Sequence, residues 1–339
     1  MKTNRLFRLF FLLCSSALFA GCIHEFPGDN PADPSLIDVS VTLTIRMEFR
    51  SDTIFQTYAG MLEGDYDIRY IVDIYNDDPD ATTRAGDRIA RIVKTESNLA
   101  TKGSYTVTDT LQLLPKKYQI VAWIDFVDRG TTTDKYYNTD DLQHVSIVQQ
   151  GGQYHGYNTT KDAFIAKSDM DLTPLRGQRY ASYNLEMEAT RPFAVYRIIT
   201  IDMERYRTYH QSPAYASLRP YSTNVWYDLF FPMGFNAFLN VPLQFTAGVN
   251  YSYNIMEVVP EQEAEIASDY VFVGDDTFYL VDFEILTPDG ERINTVHNLR
   301  INLKQNCITI IRDEFLTKDL NNGGIGIDDR FSDEIIIQI

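Results

Sequence analysis

From Val39 to Phe49 apolar and polar side chains alternate without a break: Val39, Val41, Leu43, Ile45, Met47 and Phe49 against Ser40, Thr42, Thr44, Arg46 and Glu48. Successive side chains of a strand point to opposite faces, so a period of two specifies a strand with one buried face. The pattern continues in segments along the chain. Strands are predicted over residues 68–75, 105–114, 118–126, 182–189 and 193–201. Others follow at 225–231, 249–258, 277–286, 292–303, 307–315 and 333–339. Turn chemistry separates them, as in Asn76-Asp77-Asp78-Pro79-Asp80 and Pro288-Asp289-Gly290.

Residues 105–114 and 118–126 flank Pro115-Lys116-Lys117 and are expected to pair with each other. In the second, Tyr118, Ile120, Ala122, Ile124 and Phe126 line one face, with Val121 and Trp123 on the other. Such a strand is buried on both sides. Helical candidates are few and short, residues 202–209 being one. With 22 Tyr and 20 Phe, the composition favours strands. The expected fold is all-β, built of β-sandwiches. No tandem repeat of short period is visible.

The N-terminus carries a different signal. Lys2, Arg5 and Arg8 form a cationic head, an apolar run spans residues 6–20, and Ala20 and Gly21 precede Cys22. That is the layout of a secretory signal, too short for a membrane span. With cysteine at the cleavage point it resembles a bacterial lipoprotein signal. The resemblance implies removal of residues 1–21 and acylation of Cys22, which anchors the protein in the outer membrane. Residues 22–37, with Pro27, Gly28, Pro31 and Pro34, read as a tether. The remainder is longer than one typical core, so two domains are expected, 38–190 and 191–339, parted at Arg191-Pro192. Cys14 leaves with the signal and Cys22 is lipidated, which leaves Cys307 as a buried, inert thiol within an apolar alternation.

A net charge of −17 disfavours nucleic acid and anionic membrane faces as partners. The chain has no His-Glu-x-x-His, Gly-x-Ser-x-Gly, phosphate-cradling glycine loop or Cys-x-x-Cys motif. It is read as a non-enzyme without metal or cofactor. The acidic groups around Asp77–Asp80 and Asp319–Asp333 match no calcium loop. Tyr136, Tyr137 and Tyr157 lie in a polar stretch with Asn138 and Asn158 and are candidates for stacking on sugar rings. The plainer alternative is that these rings pack beneath long loops, and the sequence favours it.

Several segments, in order, carry a further resemblance. They are residues 118–126, Tyr136-Tyr137-Asn138-Thr139, Asp162-Ala163-Phe164, Arg191-Pro192-Phe193-Ala194, 231–236, Asp269-Tyr270-Val271-Phe272-Val273 and Asn302-Leu303-Lys304-Gln305-Asn306. The chain resembles the lipidated fimbrillin-like proteins, the subunits and anchors of type V pili. That implies two tandem transthyretin-like sandwiches, a structural role as pilus subunit, anchor or adhesin, and partners that include other pilus subunits by strand exchange, or host or glycan ligands. In polymerising members an Arg-specific protease removes the first strand. Arg46 and Arg50 are the candidate sites, although both also suit the polar face of a retained strand, the preferred reading. The alternative function is a surface glycan-binding lipoprotein. Asp52-Thr53-Ile54 and Asp109-Thr110-Leu111 resemble O-glycosylation acceptors of exported proteins. The terminal segment is expected to pair within its own domain rather than serve as a donor, so that its deletion unfolds the isolated protein.

Overall fold

The alternating segments form strands, which pair by register rather than by adjacency in the chain. A computed structural model describes residues 36–47, 65–78, 84–97, 104–156, 158–210, 215–275, 277–318 and 333–338. The first nine strands are β1 (Ile37–Met47), β2 (Tyr66–Asn76), β3 (Arg88–Glu96), β4 (Ser104–Leu113), β5 (Lys117–Asp128), β6 (Tyr137–Asn138), β7 (Val145–Ile147), β8 (Ala163–Asp171) and β9 (Tyr180–Ala189). Then come β10 (Phe193–Thr200), helices α1 (Met203–Tyr209) and α2 (Tyr215–Leu218), β11 (Ser222–Tyr227), β12 (Phe231–Asn236), β13 (Val241–Thr246) and β14 (Val249–Asn254). The last are β15 (Met256–Val259), β16 (Glu263–Phe272), β17 (Thr277–Leu286), β18 (Arg292–Leu303), β19 (Cys307–Asp313) and β20 (Asp333–Gln338).

Two sandwiches result, and the second repeats the topology of the first. One sheet of the first runs β4-β1-β9, with β1 antiparallel to β4 and parallel to β9. The other runs β3-β2-β5-β8. In the second sandwich β10 is antiparallel to β16 and parallel to β19. The facing sheet runs β14-β11-β17-β18. Thus β1, β2, β3, β4, β5, β8 and β9 correspond in order to β10, β11, β14, β16, β17, β18 and β19. The repeat lies in the topology, where no short sequence period would show it. β15 and β20 extend the edges of the second mixed sheet, and β20 pairs antiparallel with β19.

The alternation in β1 does what its period requires. Ile37, Val39, Val41, Leu43 and Ile45 are buried, and the residues between them are not. β5 is buried on both faces as its sequence requires. The second cover is a fifth sheet, β13-β12-β7-β6, made by one insertion from each repeat. β6 and β7 interrupt the step from β5 to β8, and β12 and β13 interrupt the step from β11 to β14. Gly234 lets β7 come close: a Cβ there would lie 2.8 Å from the Val145 carbonyl oxygen.

The structure corrects several expectations. Residues 105–114 and 118–126 do not pair; β4 joins β1 while β5 joins β2 and β8, so the chain crosses from one layer of the sandwich to the other. The segment 249–258 is split at Ile255, β14 and β15 lying in different sheets. The predicted strand 225–231 is broken before Phe231, where Phe230 takes a left-handed φ of 57°. β3, β6, β7, β8, β12, β13 and β16, which are short or have weak or continuous patterns, fall outside the predicted strands. The β17–β18 hairpin forms around Pro288-Asp289-Gly290 as expected, and α1 lies within 202–209.

Candidate functional site

The insertions bring most of the polar and aromatic residues singled out in the sequence to the junction of the two sandwiches. Arg69 on β2 faces Asp125 on β5 in direct cross-strand register. Its Nε and Nη2 donate to the two carboxylate oxygens of Asp125 at 2.9 and 2.6 Å. Burial raises Asp125, with Arg69 opposing. Arg69 Nη1 also donates to Asp134 Oδ1 and the Thr132 carbonyl, both at 2.7 Å. Asp134 in turn accepts from the backbone N–H and the hydroxyl of Thr139 at 2.9 and 2.7 Å. A buried guanidinium therefore fixes the loop that carries Tyr136 and Tyr137.

Tyr137 is 2% exposed and packs edge-on to Trp123, with ring centroids 5.3 Å apart, and tilted against Phe193 and Phe272. Its hydroxyl donates to the Lys161 carbonyl. As an open stacking face for sugars, Tyr137 is therefore corrected: the ring is core. Tyr136 is 7% exposed, its hydroxyl 2.7 Å from Thr160 Oγ1, and presents only part of its surface to a cavity. Tyr157 lies outside the described residues, as do Cys22, Arg50 and residues 52–54. Arg46 is 56% exposed on β1, and its Nη2 donates to Glu186 Oε2 on β9 at 2.8 Å. Its backbone is held on both sides, opposite Ser104 on β4 and Glu188 on β9.

That cavity, of about 620 Å³, lies at the junction. Val148, Gln150, Gln153, Tyr154, His155, Gly156 and Asn158, from the loop after β7, form one wall. Asn250, Tyr251, Ser252 and Tyr253 on β14, the outer strand of its sheet, form the other. Lys135, Tyr136 and Lys161 close the floor. The loop is seated by Gly156, because a Cβ there would stand 2.2 Å from the Tyr251 ring. Lys161 is 4% exposed; its ammonium donates to the carbonyls of His155 and Gly156 and lies 4.5 Å from the Tyr154 ring centre. Burial pushes that ammonium down to about 8, and Asp269 acts the other way without a direct ion pair among the described residues.

Beneath the cavity is a network of phenols that the sequence did not reveal. Asp269 Oδ2 on β16 accepts from Tyr154 and Tyr227 at 2.8 and 2.9 Å. Tyr196 bridges the hydroxyls of Tyr227 and Tyr251 at 2.6 and 2.8 Å. Burial raises Asp269 to about 6, opposed by Lys161 and the phenol donors. Nearby, Arg191 Nε donates to the Asp162 carboxylate at 2.9 Å in a fully buried pair. The only sequence signals were single landmarks, Asp162, Arg191 and Asp269, far apart in the chain. Among the described residues no group of three metal-ligand side chains converges.

One protein family, described as a family of unknown function, DUF6562, matches residues 34–339. The chain belongs to that family. No curated protein matches this DUF6562 member. Its fold is similar to that of the fimbrial anchor protein Mfa2 from Porphyromonas gingivalis, at 9% identity and a TM-score of 0.45, over 88% of this chain and 97% of the other. A candidate cell adhesion protein from Bacteroides eggerthii is 11% identical, with a TM-score of 0.47, over 90% and 97%. A candidate polysaccharide-binding protein (DUF1812) from Bacteroides thetaiotaomicron is 10% identical, with a TM-score of 0.46, over 82% and 93%.

Proposed function

We propose that this chain is a lipid-anchored, non-enzymatic protein of the outer membrane surface, acting as a fimbrial anchor, subunit or adhesin, with its first strand retained. The placement of β1 is the observation that carries this reading. β1 follows the segment read as a tether and enters the middle of its sheet, with β4 on one side and β9 on the other. It contributes Val39, Val41, Leu43 and Ile45 to the core, each worth about 2 kcal/mol of burial. Loss of β1 would open a groove with two unpaired edges, of the kind a donated strand fills. Arg46 is the last residue of β1 paired on both sides, so a protease that takes up the residues before it in extended form must first open the end of the sheet. Retention suits an anchor or adhesin better than a polymerising subunit. No helix among the described residues is long and apolar enough to cross a membrane, in keeping with attachment by lipid.

Protease shaving of intact cells, with mapping of the N-terminus, tests the proposal. The expected result is loss of the protein from shaved cells and an acylated Cys22 terminus in untreated ones. A native terminus after Arg46 or Arg50 would instead mark a processed subunit, and full protection from shaving would remove the surface assignment. A second reading, glycan binding at the surface, is favoured by one observation, the polar, phenol- and amide-lined cavity between the loop after β7 and β14.

A further inference from the structure

Lys161 is an ammonium placed where an ammonium is costly. It is nearly fully buried, and its partners are two backbone carbonyls and a ring face rather than a carboxylate. Buried cations are normally paired, because desolvation without a counter-charge is unfavourable. This one borders a cavity of about 620 Å³, within the size range of small-ligand sites. The rest of the wall is mainly amide, phenol and imidazole, with Val148, Ser252 and a second cation, Lys135, which is already ion-paired with Asp128. Gln153 and Asn250 offer both donors and acceptors, as sugar hydroxyls require, while the Asn158 amide is held by Thr160 and Tyr136. Tyr251 is held by its hydroxyl and by the close approach of Gly156, so the wall is preformed.

We propose that this cavity binds an acidic mono- or disaccharide, of the uronic- or sialic-acid class, whose carboxylate pairs with Lys161. The proposal deepens the glycan-binding reading by naming the ligand class. Asp269 acts on Lys161 without a direct ion pair, and a carboxylate entering the cavity supplies that direct pairing, so the acid group is recognised by charge and the hydroxyls by the amides. Apolar subsites of the kind a peptide side chain would fill are not a feature of this wall.

The test is calorimetric titration of the full chain in detergent with glucuronic acid, galacturonic acid and N-acetylneuraminic acid, beside glucose, galactose and an acetylated tripeptide with a free C-terminus. At least one acid sugar is expected to bind, and roughly tenfold more tightly than the neutral sugars, the scale of one charge-assisted hydrogen bond. Lys161→Gln, which keeps donors for the two carbonyls, should lose that preference. Asn250→Trp, at the exposed rim on β14, should block binding with an unchanged melting temperature. Neutral sugars binding as tightly as acids would overturn the acid assignment and leave the glycan reading standing. Tripeptide binding in place of sugars would overturn the ligand class. No saccharide binding to the folded protein would overturn both readings.

Discussion

Arg191 and Asp162 show how much of the junction rests on single buried charges. The pair is fully enclosed, and the guanidinium also lies 4.6 Å from the centre of the Phe164 ring. Arg191→Leu leaves Asp162 buried without its ion-pair partner, and denaturant unfolding should show a loss of about 3–5 kcal/mol. Asp269 makes a pH-dependent contribution. Its carboxyl is raised from an ordinary 3.8 to about 6, so between these values the folded state holds a proton that the unfolded state has released. Stability therefore falls as pH rises from about 4 to about 6, by an amount on the order of 3 kcal/mol for this group. Unfolding of wild type and Asp269→Asn across that window checks it: the difference between the two should change with pH, and a constant difference would refute the assignment. Lys161 works in the opposite direction. Its folded value is depressed, so its contribution to stability grows as pH rises above about 8.

At the scale of the element, β1 and β20 occupy different positions, and different consequences follow. β1 is central. Leu43→Ala removes a fully buried side chain and should cost about 2–5 kcal/mol, read as a lowered melting temperature. β20 is an edge strand of six residues, and among the described residues the first sandwich has no strand in the corresponding position beside β9. The repeated topology closes without it. Deletion of residues 333–339 is therefore expected to destabilise the second sandwich rather than unfold the protein, which softens the expectation from sequence. A peptide of those residues added in trans should restore the melting temperature. Failure of the truncated chain to fold at all would show that β20 is required for the sheet to form.

Across the whole molecule, the two sandwiches share a core. One apolar cluster runs from β1, β2 and β5 through Tyr137 to Phe193, Phe235, Phe272 and Ile308 of the second sandwich. Phe272 stacks on Phe193 at 4.6 Å and on Phe235 at 5.2 Å. A single calorimetric transition is expected, and Phe272→Ala should shift all of it downward; two separated transitions would show that the junction does not couple the halves.

The local pattern determined by itself that β1, β5, β17 and β18 are strands, that β1 buries one face and β5 both, and that the fold is all-β. Period two is a property of each segment and needs no partner to be legible. Pairing is not local. Nothing in residues 105–126 says that β4 and β5 join different layers, because the choice depends on strands far away in the chain. Nor could the cavity be read, since Lys161, Tyr154 and Tyr251 meet only when an insertion from one repeat folds over a strand of the other. Tyr137 makes the same point in one residue: in sequence it is an aromatic in a polar loop, and only the tertiary fold sets Trp123, Phe193 and Phe272 around it. Burial on folding is decided by what the rest of the chain brings to a surface, and a single segment carries no record of that.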